Sequence, residues 1–181
     1  MTRERIVEKI KRASEVMVPL DQYPHVNQNS TIRQAIKEMY RHELEVAGRK
    51  SLPRVILVFD DRNQLVGMVR RRDIMRGLEP KFLVSKPLEY RKKLFDVKVD
   101  PNLSEISYDK MVKGIREQAG RPVREVMRPI KVTVNHEDHL VRVIYEMVDN
   151  NLSLLPVLKG KKVVGVLRSV DMLHEVAQLL F

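Results

Sequence analysis

The chain has 181 residues, of which 43% are apolar and 32% charged, and its formal net charge is +10. That length holds one ordinary domain or two small, closely packed ones, with enough Leu, Ile, Val and Met for a core. The lack of cysteine excludes disulfides and thiolate metal sites, and no run approaches the roughly 18 apolar residues of a membrane span.

The first residues, Met1-Thr-Arg-Glu-Arg-Ile, lack the apolar stretch of a signal peptide, so a cytoplasmic protein is expected. The basic excess favours anionic partners: nucleotides, nucleic acid or an acidic protein surface. Residues 2–15 predict an amphipathic helix, with Thr2 placed to cap it and Ile6, Val7 and Ile10 on one face. Tyr23 to Asn27 reads as a short extended piece. Ser30 is placed to cap a helix whose apolar face is Ile32, Ala35, Ile36, Met39 and Tyr40. Pro53 opens the run Val55-Ile-Leu-Val-Phe59, a buried strand; Asp60 to Asn63 make a turn, and Leu65 to Val69 return as the second strand of a hairpin. A second helix starts near Arg72. Between Leu78 and Pro122 the pattern is less regular. There, Leu103 to Gln118 predicts a helix with Ile106, Met111, Val112 and Ile115 inward and Gly120 stopping it, since a structureless connection of that length is unusual in a compact unit. The earlier order then returns. Lys131 to Val134 is extended, Asp138 caps a helix through Asn150, Pro156 to Gly165 form a hairpin, and Asp171 to Leu180 form a last helix.

The second half thus echoes the first residue by residue. Val16-Met-Val-Pro19 matches Val126-Met-Arg-Pro129, and Thr31-Ile-x-x-Ala-Ile-x-x-Met39 matches His139-Leu-x-x-Val-Ile-x-x-Met147. Val66-Gly-Met-Val-Arg-Arg-Arg-Asp73 matches Val164-Gly-Val-Leu-Arg-Ser-Val-Asp171. Internal repetition on this scale sets the architecture. It divides the chain into an N-terminal helix (1–15), a first repeat (16–77), a connection (78–122) and a second repeat (123–181). Pairing Pro53 with Pro156 leaves the first repeat a handful of extra residues before Pro53 and as many in its hairpin.

This βαββα unit, ending in Gly-x-x-x-x-x-Asp ahead of a helix, resembles the cystathionine β-synthase (CBS) domain. The resemblance covers the chain except its N-terminal helix and the connection. It implies a mixed α/β fold in which two βαββα repeats pack as a pseudo-twofold, disc-shaped module, with the N-terminal helix and a helical insertion added. It also implies a regulatory module that binds an adenosine-containing ligand (AMP, ADP, ATP or S-adenosylmethionine) in the cleft between repeats, with no cofactor required. Asp73 and Asp171 then hold the ribose hydroxyls. A carboxylate suits a vicinal diol, and an adenine ring needs an apolar slot; Val26, Val132, Pro53, Arg54, Pro156 and Val157 are the candidates to form it. Alternatively, each aspartate simply complements the dipole of its helix.

One departure from the resemblance recurs. Where that family usually has Thr or Ser three residues before the aspartate, this chain has Arg70 and Arg168. Arginine is a poor cap and stands at the wrong end of the dipole. Three readings stay open: contact with a ligand phosphate, pairing with the aspartate three residues on, or an arginine that fills a degenerate site.

Other chemistry is poorly supported. His136-Glu-Asp-His139 suits a helix-capping loop better than a metal site, and neither a P-loop nor a nucleophile elbow occurs, so the chain does not read as an enzyme. Arg91-Lys-Lys93 and Lys159-Gly-Lys-Lys162 are basic, but with 5% aromatic residues nucleic-acid binding is disfavoured. The final helix carries Leu173, Val176, Ala177, Leu179, Leu180 and Phe181, more apolar than an exposed end needs, which predicts a homodimer. The expected partner is an unidentified effector protein. The alternatives are a scaffold with closed clefts, docking through residues 78–122, and a basic nucleic-acid-binding protein.

Overall fold

The computed structural model describes residues 11–42, 44–46, 49–80 and 107–181. The expected N-terminal helix lies outside the described residues except for α1 (Ala13–Val16), as do Arg91 to Lys93 and the start of the inserted helix. Among the described residues, no helix is long and apolar enough to cross a membrane.

The first repeat consists of β1 (Val18–Pro19), β2 (His25–Asn27), α2 (Ile32–Arg41), a small hairpin of β3 (Leu44–Val46) and β4 (Arg49–Ser51), then β5 (Val55–Phe59), β6 (Leu65–Arg70) and α3 (Arg71–Gly77). After α4 (Tyr108–Gln118) the second repeat follows as β7 (Arg128–Pro129), β8 (Val134–Asn135), α5 (Leu140–Asp149), β9 (Leu154–Lys159), β10 (Lys162–Arg168) and α6 (Ser169–Leu180). The fold is the mixed α/β pair of βαββα units expected from the sequence.

The two sheets are not built each from one repeat. Their orders are β2-β5-β6-β7 and β1-β10-β9-β8, so each repeat lends its short leading strand to the other's sheet. Val18 pairs with Val166 and Pro19 with Gly165; equivalently, Arg128 pairs with Met68 and Pro129 with Gly67. An edge strand tolerates a proline because its missing N–H can face outward. The two glycines permit the close approach: a Cβ on Gly165 would lie 2.5 Å from the Val18 carbonyl oxygen, and one on Gly67 2.8 Å from that of Arg128. The exchange extends upstream. Ala13 N–H donates to Asp138 O (2.8 Å) and Ser14 to His136 O (2.9 Å), while Val123 donates to Ser30 O (2.7 Å) and Arg124 to Gln28 O (3.0 Å).

Strand alternation then divides the core in three. Ile56, Val58 and Val69 face the helices with Ile32, Ala35, Met39 and Ile74, and Val123 of the second repeat's leader joins them. Leu155, Val157 and Leu167 do the same against Leu140, Val143, Met147 and Met172, joined by Ala13. The opposite strand faces, Val55, Leu57 and Met68 against Leu154 and Val166, meet between the sheets around Tyr23. Burial on both faces explains why β5 reads as an unbroken apolar run.

Several local expectations are corrected. Thr31, not Ser30, caps α2: its hydroxyl oxygen accepts from Gln34 N–H (3.2 Å) while Gln34 Oε1 accepts from Thr31 N–H (2.7 Å), a full capping box. His139, not Asp138, is the N-cap of α5; Asp138 accepts from Asn135 N–H at 2.8 Å one step earlier. Tyr40 and Ile115 lie on outer helix flanks, 61% and 38% exposed. The pairing of Pro53 with Pro156 also fails. Val55 pairs with Arg70 and Leu154 with Arg168, so Pro156 corresponds to Leu57, inside the strand. Leu57 N–H donates to Pro24 O, and proline cannot repeat that bond; β8 accordingly begins one residue later than β2, at Val134, the equivalent of Val26. The first repeat's extra residues therefore lie almost wholly before β5, where they form the β3–β4 hairpin.

Candidate ligand-binding clefts

Both motif aspartates sit in the first turn of a helix and bond backward. Asp73 Oδ2 accepts from Arg70 N–H (3.1 Å) and Arg70 Nε (2.8 Å), and its Oδ1 accepts from Arg70 Nη2 (3.1 Å) and from Arg128 Nε (3.0 Å). Asp171 Oδ2 likewise accepts from Arg168 N–H (3.1 Å) and Nε (2.7 Å), with Arg168 Nη2 on Oδ1. In both copies, then, the arginine pairs with the aspartate three residues on. The aspartate supplies the capping-box bond to the N-cap N–H that an arginine side chain, with no acceptor, cannot reciprocate.

The copies differ in how tightly they hold the carboxylate. Asp73 is 4% exposed and gripped from both repeats, because Arg128 arrives on the exchanged strand β7. Burial works to raise its pKa, but the bonds from Arg70 and Arg128 prevail and hold it at about 2; the Arg70 guanidinium is pushed up in return by its bond to Asp73. At the equivalent of Arg128, strand β1 presents Val18 to the second copy, so among the described residues Asp171 has a single arginine.

Two clefts flank the pseudo-twofold axis. The larger, about 520 Å³, is bounded by Tyr23, by Leu52 to Val55 ahead of β5, by Ser153 and Leu154, and by Arg168 to Val170 and Leu173 at the start of α6. Its volume lies within the range of small-molecule sites. Its mate, about 350 Å³, lies among Arg54, Val55, Arg70, Arg71, Arg72 and Ser153. Arg71 partly closes it, donating from Nε to Pro53 O at 3.0 Å and from Nη2 to Leu52 O; the second copy has Ser169 at that place. Asp73 opens on a third recess with Arg76, Arg121 and Arg128.

Of the residues singled out from sequence, Pro53, Arg54 and Arg168 come together in the larger cleft and Arg54 and Arg70 in the smaller. The expected adenine slot does not form as a unit. Val26 lines a recess on the β-hairpin side, about 1000 Å³, together with His25, Phe59 and Thr133. Val132 packs on the second repeat's core, and Pro156 and Val157 are buried within β9, Val157 completely. β9 is buried on both faces, so neither Pro156 nor Val157 opens on the larger cleft. Sequence reasoning missed Tyr23, Ser153, Ser169 and Arg128. Tyr23 is 1% exposed, donates its hydroxyl to Val55 O (2.9 Å), and has its pKa raised by burial. Its sign in the sequence was a lone aromatic just after an exchanged strand.

A family model for the CBS domain matches residues 13–80 and 123–178. The chain belongs to the CBS-domain family. Solved CBS-domain structures share the fold across nearly the whole chain. CBSX2 from Arabidopsis thaliana superposes with a TM-score of 0.62 at 16% identity, covering 93% of this chain and 96% of its own. A structure of CBSX2 in complex with AMP gives 0.60 at 16%, covering 94% and 98%. A CBS-domain-containing protein from Kribbella flavida DSM 17836 gives 0.66 at 16%, covering 92% and 98%. No curated protein sequence matches the chain. The two inter-repeat clefts are therefore the places where this CBS pair's chemistry differs between its halves.

Proposed function

We propose that this CBS pair is a regulatory, non-catalytic module that takes an adenosine-containing ligand between its repeats and passes the resulting change in packing to an effector protein. The observation that carries this reading is the larger cleft. It is open, about 520 Å³, and combines apolar walls (Tyr23, Pro53, Leu154) with the Arg168–Asp171 pair at one side. Family membership supports it, as does the AMP bound to CBSX2, a protein of the same fold. Ligand in that cleft touches both repeats at once, so binding energy acts on their mutual arrangement. AMP, ADP, ATP and S-adenosylmethionine are the ligands to test, and nothing in the reading requires a cofactor. We further propose that the module acts in the cytoplasm as a homodimer.

Calorimetric titration with those four compounds, backed by nucleotide analysis of the purified protein, tests the reading. Saturable binding of at least one, with a thermal shift that grows with its concentration, is expected; no heat and no shift with any would end it. One observation favours a second reading, a scaffold with closed clefts. Both motif carboxylates are already bonded to arginines of the same chain. On that reading Asp171→Ala leaves ligand affinity unmeasurable before and after, and partner capture intact.

A further inference from the structure

The ladder registers place Arg54 opposite Ser153, Arg71 opposite Ser169 and Arg72 opposite Val170 across the pseudo-twofold axis. The smaller cleft thus has Arg71 and Arg72 where the larger has Ser169 and Val170, and Arg54 stands on the border of both. The clefts also adjoin, since Arg54, Val55 and Ser153 border both. Within the basic half the guanidiniums have different standing. Arg70 is committed to Asp73, and Arg71 to the Leu52 and Pro53 carbonyls. Arg54 and Arg72 are exposed and have no hydrogen-bond or ion-pair partner for their guanidiniums among the described residues. Two unpaired guanidiniums held beside two committed ones have uncompensated positive charge, for which a polyphosphate is the fitting counter-charge.

We infer that the two clefts work as one bipartite site, taking a single nucleoside polyphosphate per chain. The base and ribose occupy the half with Tyr23, Pro53, Leu154 and Ser169, and the phosphate chain crosses the axis to Arg54 and Arg72. Arg71, tied to the chain ahead of β5, keeps a second nucleoside out of the basic half. This rests on the proposed function and deepens it: it names the ligand class, its orientation and its stoichiometry.

Calorimetry with AMP and ATP on the full chain tests the inference. The wild type is expected to bind one ATP per chain, at least about tenfold more tightly than AMP, with the preference shrinking as salt rises. The double variant Arg54→Ser with Arg72→Val, which copies the other half's residues onto exposed positions, is expected to bring the ATP-to-AMP affinity ratio to within about threefold. Ser169→Arg is expected to weaken both nucleotides together. Two nucleotides per chain, equal affinities in the wild type, or a preference that survives the double variant would each overturn the inference while leaving the proposed function standing. No binding of either nucleotide overturns the inference, and if ADP and S-adenosylmethionine also fail, the proposed function falls with it. Melting curves of the variants separate a lost site from a lost fold.

Discussion

Asp73 shows how one side chain can be held by both repeats while its counterpart, Asp171, is held by one arginine of its own repeat. Its carboxyl is held at about 2, below its ordinary 3.8, by arginines from both repeats. The folded state therefore binds that proton less readily than the unfolded chain. The pair's stabilisation is fully present above about pH 4 and lost as pH falls through about 2, and by linkage it amounts to about 2–2.5 kcal/mol at most. Asp73→Asn should lower stability by up to that amount at pH 7, with the deficit vanishing near pH 2. Urea unfolding at a series of pH values checks this, and a deficit independent of pH would refute the assignment. Among the described residues Asp171 has no second arginine, so Arg128→Met should lower stability while leaving nucleotide affinity at the larger cleft within about twofold.

At the scale of elements, the exchanged strands carry the union of the repeats. Gly165 and Gly67 are where β1 and β7 press against β10 and β6, with backbone oxygens in the path of any Cβ. Gly165→Ala and Gly67→Ala should each cost about 1–3 kcal/mol by overpacking. Gly160→Ala is the comparison: it has open space but a φ of +61°, so it should cost no more than about 1–2 kcal/mol. Thermal unfolding ranks the three, and Gly165→Ala unfolding at the wild-type temperature would contradict the tight strand contact. These elements also mark where the sequence was legible. Helices with apolar positions at 3.6-residue spacing and the unbroken run at β5 were readable because burial imposes those patterns directly. The exchange was not: the repeated Met-x-Pro leader shows a recurring strand, but two near-identical sheets offer it chemically similar edges, each with its glycine. Pro156 misled because a proline before a strand and one inside it look alike until hydrogen-bond register is known. Arg128 was missed for the first reason, since its partner Asp73 lies in the other repeat.

Among the described residues the helical face is asymmetric, and the proposed homodimer should close accordingly. Val141, Tyr145 and Val148 stand out from α5 at 60%, 63% and 76% exposure, and Leu173 and Leu180 from α6 at 70% each. At the positions matching Val141, Tyr145, Val148, Leu173 and the 41% exposed Val170, the first repeat has Arg33, Lys37, Tyr40, Met75 and Arg72, three of them charged and all exposed. With a net charge of +10, two copies joined through their first repeats would bring like charges together, whereas the second repeat's stripe is apolar and can match itself across a twofold axis. A homodimer should therefore close through α5 and α6 only, leaving the helices of the first repeat free for an effector. Val148→Glu and Leu180→Glu should each yield a monomer by size-exclusion chromatography with light scattering, because the new charge would be buried against its own symmetry mate. Tyr40→Glu, at the position equivalent to Val148, should leave the dimer intact. A monomeric wild type at tens of micromolar would dismiss the dimer itself. Dissociation by Tyr40→Glu as readily as by Val148→Glu would instead mean that both repeats lie in the interface, and that charge does not select the face.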